Sequence, residues 1–400
     1  MPISKYIKET MTSPGAGVIR KMFEEGIRLK KQYGEDKVFD FSLGNPDLDP
    51  PEEVSEEFAR IAGSREKNFH GYMPNAGFTD AREAMARKTE SEQSLPEGSM
   101  DFSCVVMSVG AAGALNSLFK AILNDGDEVI VPAPFFVEYR HYVHNYGGKL
   151  IEVPCKKDFS LDLEAIKSAL TEKTAAVLIN SPNNPTGRVY SQEEIKNLSF
   201  ILKEHSKKCG REPYLICDEP YRAIVYDNVK VASSFAEYDS SVVVTSFAKN
   251  LSLPGERIGY VAVNPRCPDK DELIAACIFT TRVLGYVNAP ALMQRVVAKT
   301  WASPVDYSLY EKRRNELMEN LDAAGIEYTK PEGAFYLWCK VPDKFGDDDM
   351  AFCEHLKKHL ILAAPGSGFG GKGYFRLAYC VSEKSIVDSK KAFVEAMKDL

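Results

Sequence analysis

Lys249 is the residue around which a chemistry can be assembled. It follows an apolar run, Val242-Val243-Val244, whose pattern predicts a buried strand. Hydroxyls at Ser246 and Ser252 flank it, and the guanidinium of Arg257 stands eight residues further on. An amine just past a strand end, beside groups that hold an anion, suits formation of an imine with a carbonyl compound whose phosphate is bound at the same place. A single lysine is more often a solvated surface charge, so the other polar stretches decide between the two readings.

In YLICDEPY an apolar strand, Tyr214 to Cys217, runs straight into Asp218. A carboxylate at the carboxyl end of a buried strand is costly unless paired, and ligands of open α/β sheets bind along that edge. The plainer reading is a helix-capping aspartate. Tyr221 follows three residues later. A second buried run, Ala175 to Ile179, ends in SPNNPTG, where Asn184 offers a side-chain amide to a phenolic oxygen. The turn Gly110-Ala111-Ala112-Gly113 opens a helix with small residues, so that its free amide groups favour an anion such as phosphate. Phe136 lies past another strand end, able to stack on a flat ring or to fill the core. Tyr72 sits in a Gly/Pro/Asn-rich loop as a candidate ligand contact. Gly44 leaves backbone exposed at a turn and joins Asn184, Arg376 and Arg282 as a substrate-binding candidate. Arg376, within a strand, calls for a carboxylate, either that of a ligand or that of a structural salt bridge.

The elements that must position these groups alternate strand and helix from Val105 onward, which predicts a mainly parallel sheet with right-handed crossovers. After about residue 290 the rhythm changes to helices up to 325, then the strands FYLWCKV and GYFRLAYC, then a closing helix. The expected fold is α/β, a three-layer, mainly parallel large domain with a smaller α+β domain. Expected boundaries are an N-terminal arm at 1–15, the large domain at 45–288, and the small domain at 16–44 plus 289–400. The glycines of PGSGFGGKG form a loop and not a dinucleotide fingerprint, because no βαβ unit surrounds them.

Four hundred residues exceed what one core usually holds, which agrees with two domains. A net charge of −7 argues against nucleic acid or an anionic membrane as the main partner. The N-terminus has no signal-like apolar segment and no run of about eighteen apolar residues occurs, so a cytoplasmic protein is expected. Nine scattered cysteines without a CxxC pair suit reduced thiols, with neither disulfide nor metal expected. His355 and His359, four apart on a predicted helix, lack a third ligand and read as a solvated face.

Together, SFAKNLSLPGERIGY, NSPNNPTG, DEPY, the YxxxxG of Tyr72 to Gly77 and the late FRLAY resemble, in order, the motifs of fold-type I pyridoxal-phosphate-dependent aminotransferases of the aspartate aminotransferase class. The likeness runs from about residue 15 to the C-terminus. It implies pyridoxal 5'-phosphate as cofactor, with Lys249 forming the imine, Asp218 on the pyridine nitrogen, and Asn184 and Tyr221 on the phenolic oxygen. It further implies that Ser246, Arg257 and the Gly110, Ala111, Ala112 turn bind phosphate, that Phe136 stacks on the ring and that Arg376 holds the substrate α-carboxylate. The substrates would be an amino acid and a 2-oxo acid. A homodimer with shared active sites is implied, Tyr72 reaching the neighbouring subunit's phosphate. In dicarboxylate-specific members an arginine before an Asn-Pro-type turn binds the distal carboxylate from the partner subunit. Arg282, six residues before Asn288, is one residue off that spacing, and aspartate or glutamate is the favoured substrate. The chain departs from the family at Ala248, where many members carry serine, and at Phe136, usually Tyr or Trp. The rival readings are a carbon-sulfur β-lyase of the same fold, an aromatic or aliphatic aminotransferase, and a transcription regulator with an aminotransferase-like domain. The last needs a DNA-binding module, for which no room is expected before residue 15.

Overall fold

The computed structural model describes residues 3–12 and 18–400. Its strands are β1 (Phe39–Asp40), β2 (Val105–Ser108), β3 (Glu128–Ala133), β4 (Lys149–Pro154), β5 (Thr174–Asn180), β6 (Tyr214–Asp218), β7 (Ser241–Ser246), β8 (Gly259–Val263), β9 (Tyr328–Thr329), β10 (Tyr336–Lys340), β11 (Ile361–Leu362), β12 (Ala364–Pro365) and β13 (Tyr374–Ala378). Seven of them form one sheet in the order β2-β8-β7-β6-β5-β3-β4. The pairs from β4 through to β7 are parallel, and only β8 runs against its neighbours.

Strands β5, β6 and β7 are almost wholly buried because helices cover both faces, which is why they read as continuous apolar runs. One face packs through Leu115, Leu118, Phe119, Val131 and Val242 onto the helices Gly110–Ile122 and Lys270–Val283. The other packs through Met85, Val177, Leu198 and Val243 onto Thr79–Glu92 and Gln192–Cys209. The second of these helices is fixed at both ends. Ser191 and Glu194 form a reciprocal capping box, and Gly210, at φ 72°, takes the left-handed conformation that ends it.

The parallel register has a direct consequence for chemistry. Asn180 lies opposite Asp218, and Asp218 lies opposite Val244. Asn180, Asp218 and Ser246 therefore close three adjacent strands at the carboxyl edge, where the strand-to-helix connections leave room for a ligand.

A second core, of Phe335, Leu337, Phe352, Phe375, Leu377 and Phe393, lies between the antiparallel sheet β12-β13-β10-β9 and the helices Ser308–Ala324 and Glu383–Lys398. Strand β1 pairs in parallel with β11 at its side. Arg376 is held on β13, facing Ala364 of β12 and Trp338 of β10 across the ladder.

One element packs elsewhere than expected. The helix Ala291–Thr300, expected in the small domain, buries Met293, Val296 and Val297 with Val54, Ile61 and Met85 in the core of the large sheet. An amphipathic pattern tells which face of a helix is buried but not which sheet buries it. The arm expected at 1–15, whose residues 1, 2 and 13–15 lie outside the described ones, contains a helix, Lys5–Thr12. The Tyr6 ring stacks on His144 at 3.6 Å, and its hydroxyl bonds His141 Nδ1 at 2.7 Å. His355 and His359 make separate contacts, with the Ala396 carbonyl and with Asp399. Among the described residues, no helix is long and apolar enough to cross a membrane.

Candidate active site

A cavity of about 290 Å³ opens at the carboxyl edge of the large sheet, roofed by β10 and β13. Gly44, Ala111, Ala112, Phe136, Asn184, Asp218, Tyr221, Ser246, Lys249, Arg257 and Arg376 all line it. These residues span more than 330 positions of the chain.

Lys249 stands in a single helical turn, Phe247–Asn250, that starts where β7 ends. Its Nζ donates to the Gly44 carbonyl at 2.7 Å. Burial lowers the amine to about 8; Cys380 opposes the shift, and the cations Arg376 and Arg257 add to it. A buried amine with so low a pKa is partly uncharged near neutral pH and so available as a nucleophile. Gly44 has to be glycine: a Cβ there would lie 2.0 Å from the Tyr336 hydroxyl.

Asp218 is buried, and its two oxygens have different fates. Oδ2 accepts a hydrogen bond from the Tyr139 hydroxyl at 2.5 Å, while Oδ1 has no partner. Burial pushes the carboxyl up to about 7, against the Tyr139 bond and with a smaller push from Glu219. A buried acceptor left without a donor costs about 1–3 kcal/mol. The arrangement therefore favours a ligand that brings a donor.

Arg376 is 3% exposed, and among the described residues no carboxylate reaches it. Its Nη1 donates to Asn184 Oδ1 at 2.9 Å and its Nη2 to the Ser42 carbonyl at 2.7 Å, while Nε has no partner. The guanidinium is held between the rings of Tyr336 and Phe369, at 4.4 and 4.7 Å. This corrects the structural salt bridge considered from sequence. Among the described residues its hydrogen-bond acceptors are an amide and a carbonyl, neither of which neutralises the buried charge.

The anion-binding turn is also formed. Gly110, at φ 77°, begins the helix Gly110–Ile122. The positive φ favours glycine here, and the Arg257 guanidinium lies so close to the helix N-terminus that a Cβ on Gly110 would come within 2.9 Å of its Nη2. Arg257 is steadied by donating from Nη1 to the Pro254 carbonyl at 2.9 Å. Ser246 is buried beside it at the end of β7.

Tyr221 bonds Tyr336, hydroxyl to hydroxyl, at 2.8 Å, and burial raises its phenol well above the ordinary range. The Asn184 backbone N–H donates to Asn180 Oδ1 at 2.7 Å, and Asn180 Nδ2 donates to the Asp218 carbonyl at 2.8 Å, so the two strand ends and the turn are locked together. Phe136 meets Tyr139 edge to face, with centroids 5.5 Å apart.

Two candidates lie elsewhere. Tyr72 is 93% exposed and lines a separate hollow with His70, Tyr286 and Asn288. Arg282 is exposed, its guanidinium 5.3 Å from the Phe279 ring centre. Conversely, sequence reasoning missed Asn180, Tyr139, Tyr142 and Tyr336, which line the cavity or support its groups. The parallel register of β5 and β6 was the available signal for Asn180. Tyr139, three residues past Phe136, was one helical turn from a candidate already named.

Comparison with known proteins agrees with this site. The family model described as aminotransferase class I and II matches residues 36–388. The chain is 34% identical to the probable aspartate/prephenate aminotransferase of Aquifex aeolicus, over 91% of this chain and 92% of that protein. It is 29% identical to aromatic-amino-acid aminotransferase 2 of Thermococcus litoralis, over 95% of each. A crystal structure of an aminotransferase from Eubacterium rectale superposes with a TM-score of 0.93 at 38% identity, covering 100% of this chain and 99% of that one. With the match spanning nearly the whole chain and Lys249, Asn184, Asp218, Tyr221 and Arg376 lining one cavity, the chain belongs to the class I and II aminotransferases and is a transaminase.

Proposed function

We propose that the cavity binds pyridoxal phosphate and that the enzyme moves an amino group between an acidic amino acid and a 2-oxo acid. The observation that carries this is a depressed lysine amine and a partnerless buried carboxylate oxygen on one small cavity, beside an open helix N-terminus. When bound, the cofactor supplies an aldehyde that exchanges amines and a ring that accepts electrons.

Each side chain then has one task. Lys249 would supply the amine that holds the cofactor's aldehyde carbon and, when free, would carry the proton that leaves the substrate α-carbon. Asp218 Oδ1 accepts from the ring nitrogen and keeps it protonated. Tyr221 and Asn184 donate to the phenolic oxygen. Asn184 can do so while its Oδ1 still accepts from Arg376, because its Nδ2 is the donor. Arg257, Ser246 and the amides of Gly110 to Ala112 bind the phosphate, and Phe136 covers the ring. Arg376 offers Nε and its terminal nitrogens to the α-carboxylate. The apolar walls exclude water, which protects the α-carbon from stray protonation. Loading with pyridoxal phosphate, reduction by borohydride and peptide mapping tests the assignment: the label is expected on Lys249 alone, and a label on another lysine rejects it.

The proposal extends to a homodimer. Tyr72, outside its own cavity and almost fully exposed, is suited to reach the phosphate of a second copy. A monomer that is fully active in sedimentation experiments would remove this part.

Substrate choice follows from counting cations. Lys249, Arg257 and Arg376 are the basic residues lining the cavity, and each is already engaged. A distal carboxylate therefore needs a cation from the partner, and Arg282 is the candidate. Two charge-assisted bonds are worth roughly 3 kcal/mol or more, so Arg282→Leu is expected to lower kcat/KM on aspartate by about 10²-fold or more. Activity on phenylalanine should not fall. Equal effects on both substrates would take Arg282 out of the site.

A further inference from the structure

Tyr221 and Tyr336 share one hydrogen bond in a buried place, and which of them owns the hydrogen decides what the pair can do. With Tyr221 as donor, its only hydrogen is spent on Tyr336 and it offers the cavity lone pairs. With Tyr336 as donor, the Tyr221 hydrogen is free to turn toward the cavity.

The cations beside the two rings favour Tyr336 as the donor. The Arg376 guanidinium lies over its ring at 4.4 Å, and no carboxylate neutralises that cation. The corresponding cation for the Tyr221 ring, the Lys249 amine, is 6.0 Å away. A phenol under a close cation is the stronger acid and the better donor. Its position is also fixed. Tyr336 is held in β10 opposite Ala378, and its hydroxyl presses on Gly44, where a Cβ would come within 2.0 Å. The ring meets Tyr221 edge to face at 5.7 Å, with the two hydroxyls 2.8 Å apart.

We propose that Tyr336 is a positioning residue that donates to Tyr221, turning the Tyr221 hydrogen toward the bound phenolic oxygen, while its ring seats Arg376. It thereby joins the α-carboxylate site to the ring site through a single side chain. The inference rests on the pyridoxal phosphate reading above, since that group provides the acceptor.

The test uses the loaded enzyme and a reading other than turnover. A donor to the phenolic oxygen stabilises its anionic form and lowers the pH at which the lysine–cofactor link loses its proton, visible as a change in the absorption band. Tyr336→Phe keeps the ring, the stack on Arg376 and the clearance at Gly44, and removes only the hydroxyl. The midpoint is expected to rise by about one pH unit, a tenfold change. Tyr221→Phe should raise it at least as far, and the double variant should match Tyr221→Phe alone, because Tyr336 acts through Tyr221. An unchanged midpoint in Tyr336→Phe, or a shift that adds to that of Tyr221→Phe, overturns the proposal. A wild-type protein with no band that titrates would instead count against the cofactor reading itself.

Discussion

Replacing Lys249 with alanine is expected to lower turnover on the order of 10⁵-fold or more, with no borohydride-fixed cofactor left on the protein. The size follows from the double duty of one atom. Its Nζ is the nitrogen that bonds the cofactor and the base that carries the α-proton, so both the capture of the cofactor and the proton transfer are lost together. No neighbour can substitute, because the other cations lining the cavity are Arg257 and Arg376, which stay protonated and cannot act as bases. Single-turnover kinetics with excess cofactor check the loss. A variant within tenfold of wild type would show that another amine does this work.

Asp218→Ala is expected to slow the amino-acid half-reaction by about 10³-fold or more while cofactor is still captured, since the carboxylate acts on the ring's proton and not on the attachment. Asp218→Glu should be much milder. The unloaded protein offers an independent check through pH. The Asp218 carboxyl rises from an ordinary value near 3.8 to about 7 on burial. Between those values the native state binds more protons than the unfolded chain, so this group lowers stability as pH rises from about 4 to 7, and the whole penalty remains above 7. It amounts to on the order of 4 kcal/mol. Unloaded Asp218→Asn should therefore melt higher than wild type at pH 8, with the gap closing toward pH 4. A variant that melts lower at pH 8 would mean that the native site stabilises the charged carboxylate.

The parts of the site written at strand ends were legible in the sequence. Asp218, Ser246 and Lys249 follow apolar runs whose burial can be read from composition, and a parallel sheet brings such ends to one edge without further information. Asn184 and the Gly110 turn announce themselves by residues chosen for backbone geometry. The supporting contacts were not legible, because they join positions far apart in sequence. Tyr139 reaches Asp218 across 79 residues, and Tyr336 reaches Tyr221 across 115. For Arg376 the sequence could name the need for an anion but not its source. In the fold its hydrogen bonds go to Asn184 and a backbone carbonyl, which leaves that need unmet among the described residues. Tyr72 and Arg282 stand apart from the cavity of their own chain, and the part proposed for them needs a second copy, which no pattern within one chain can locate.

The most direct test of the whole account is the isolated half-reaction. Pyridoxal-phosphate-loaded protein is mixed with aspartate alone, without any 2-oxo acid, and the visible band and the released products are followed together. The account predicts one equivalent of 2-oxo acid per active site, conversion of the bound cofactor to its amine form, and return of the original band when a 2-oxo acid is added. Continued release of ammonia without an acceptor, or a band unmoved by every amino acid tried, would contradict it.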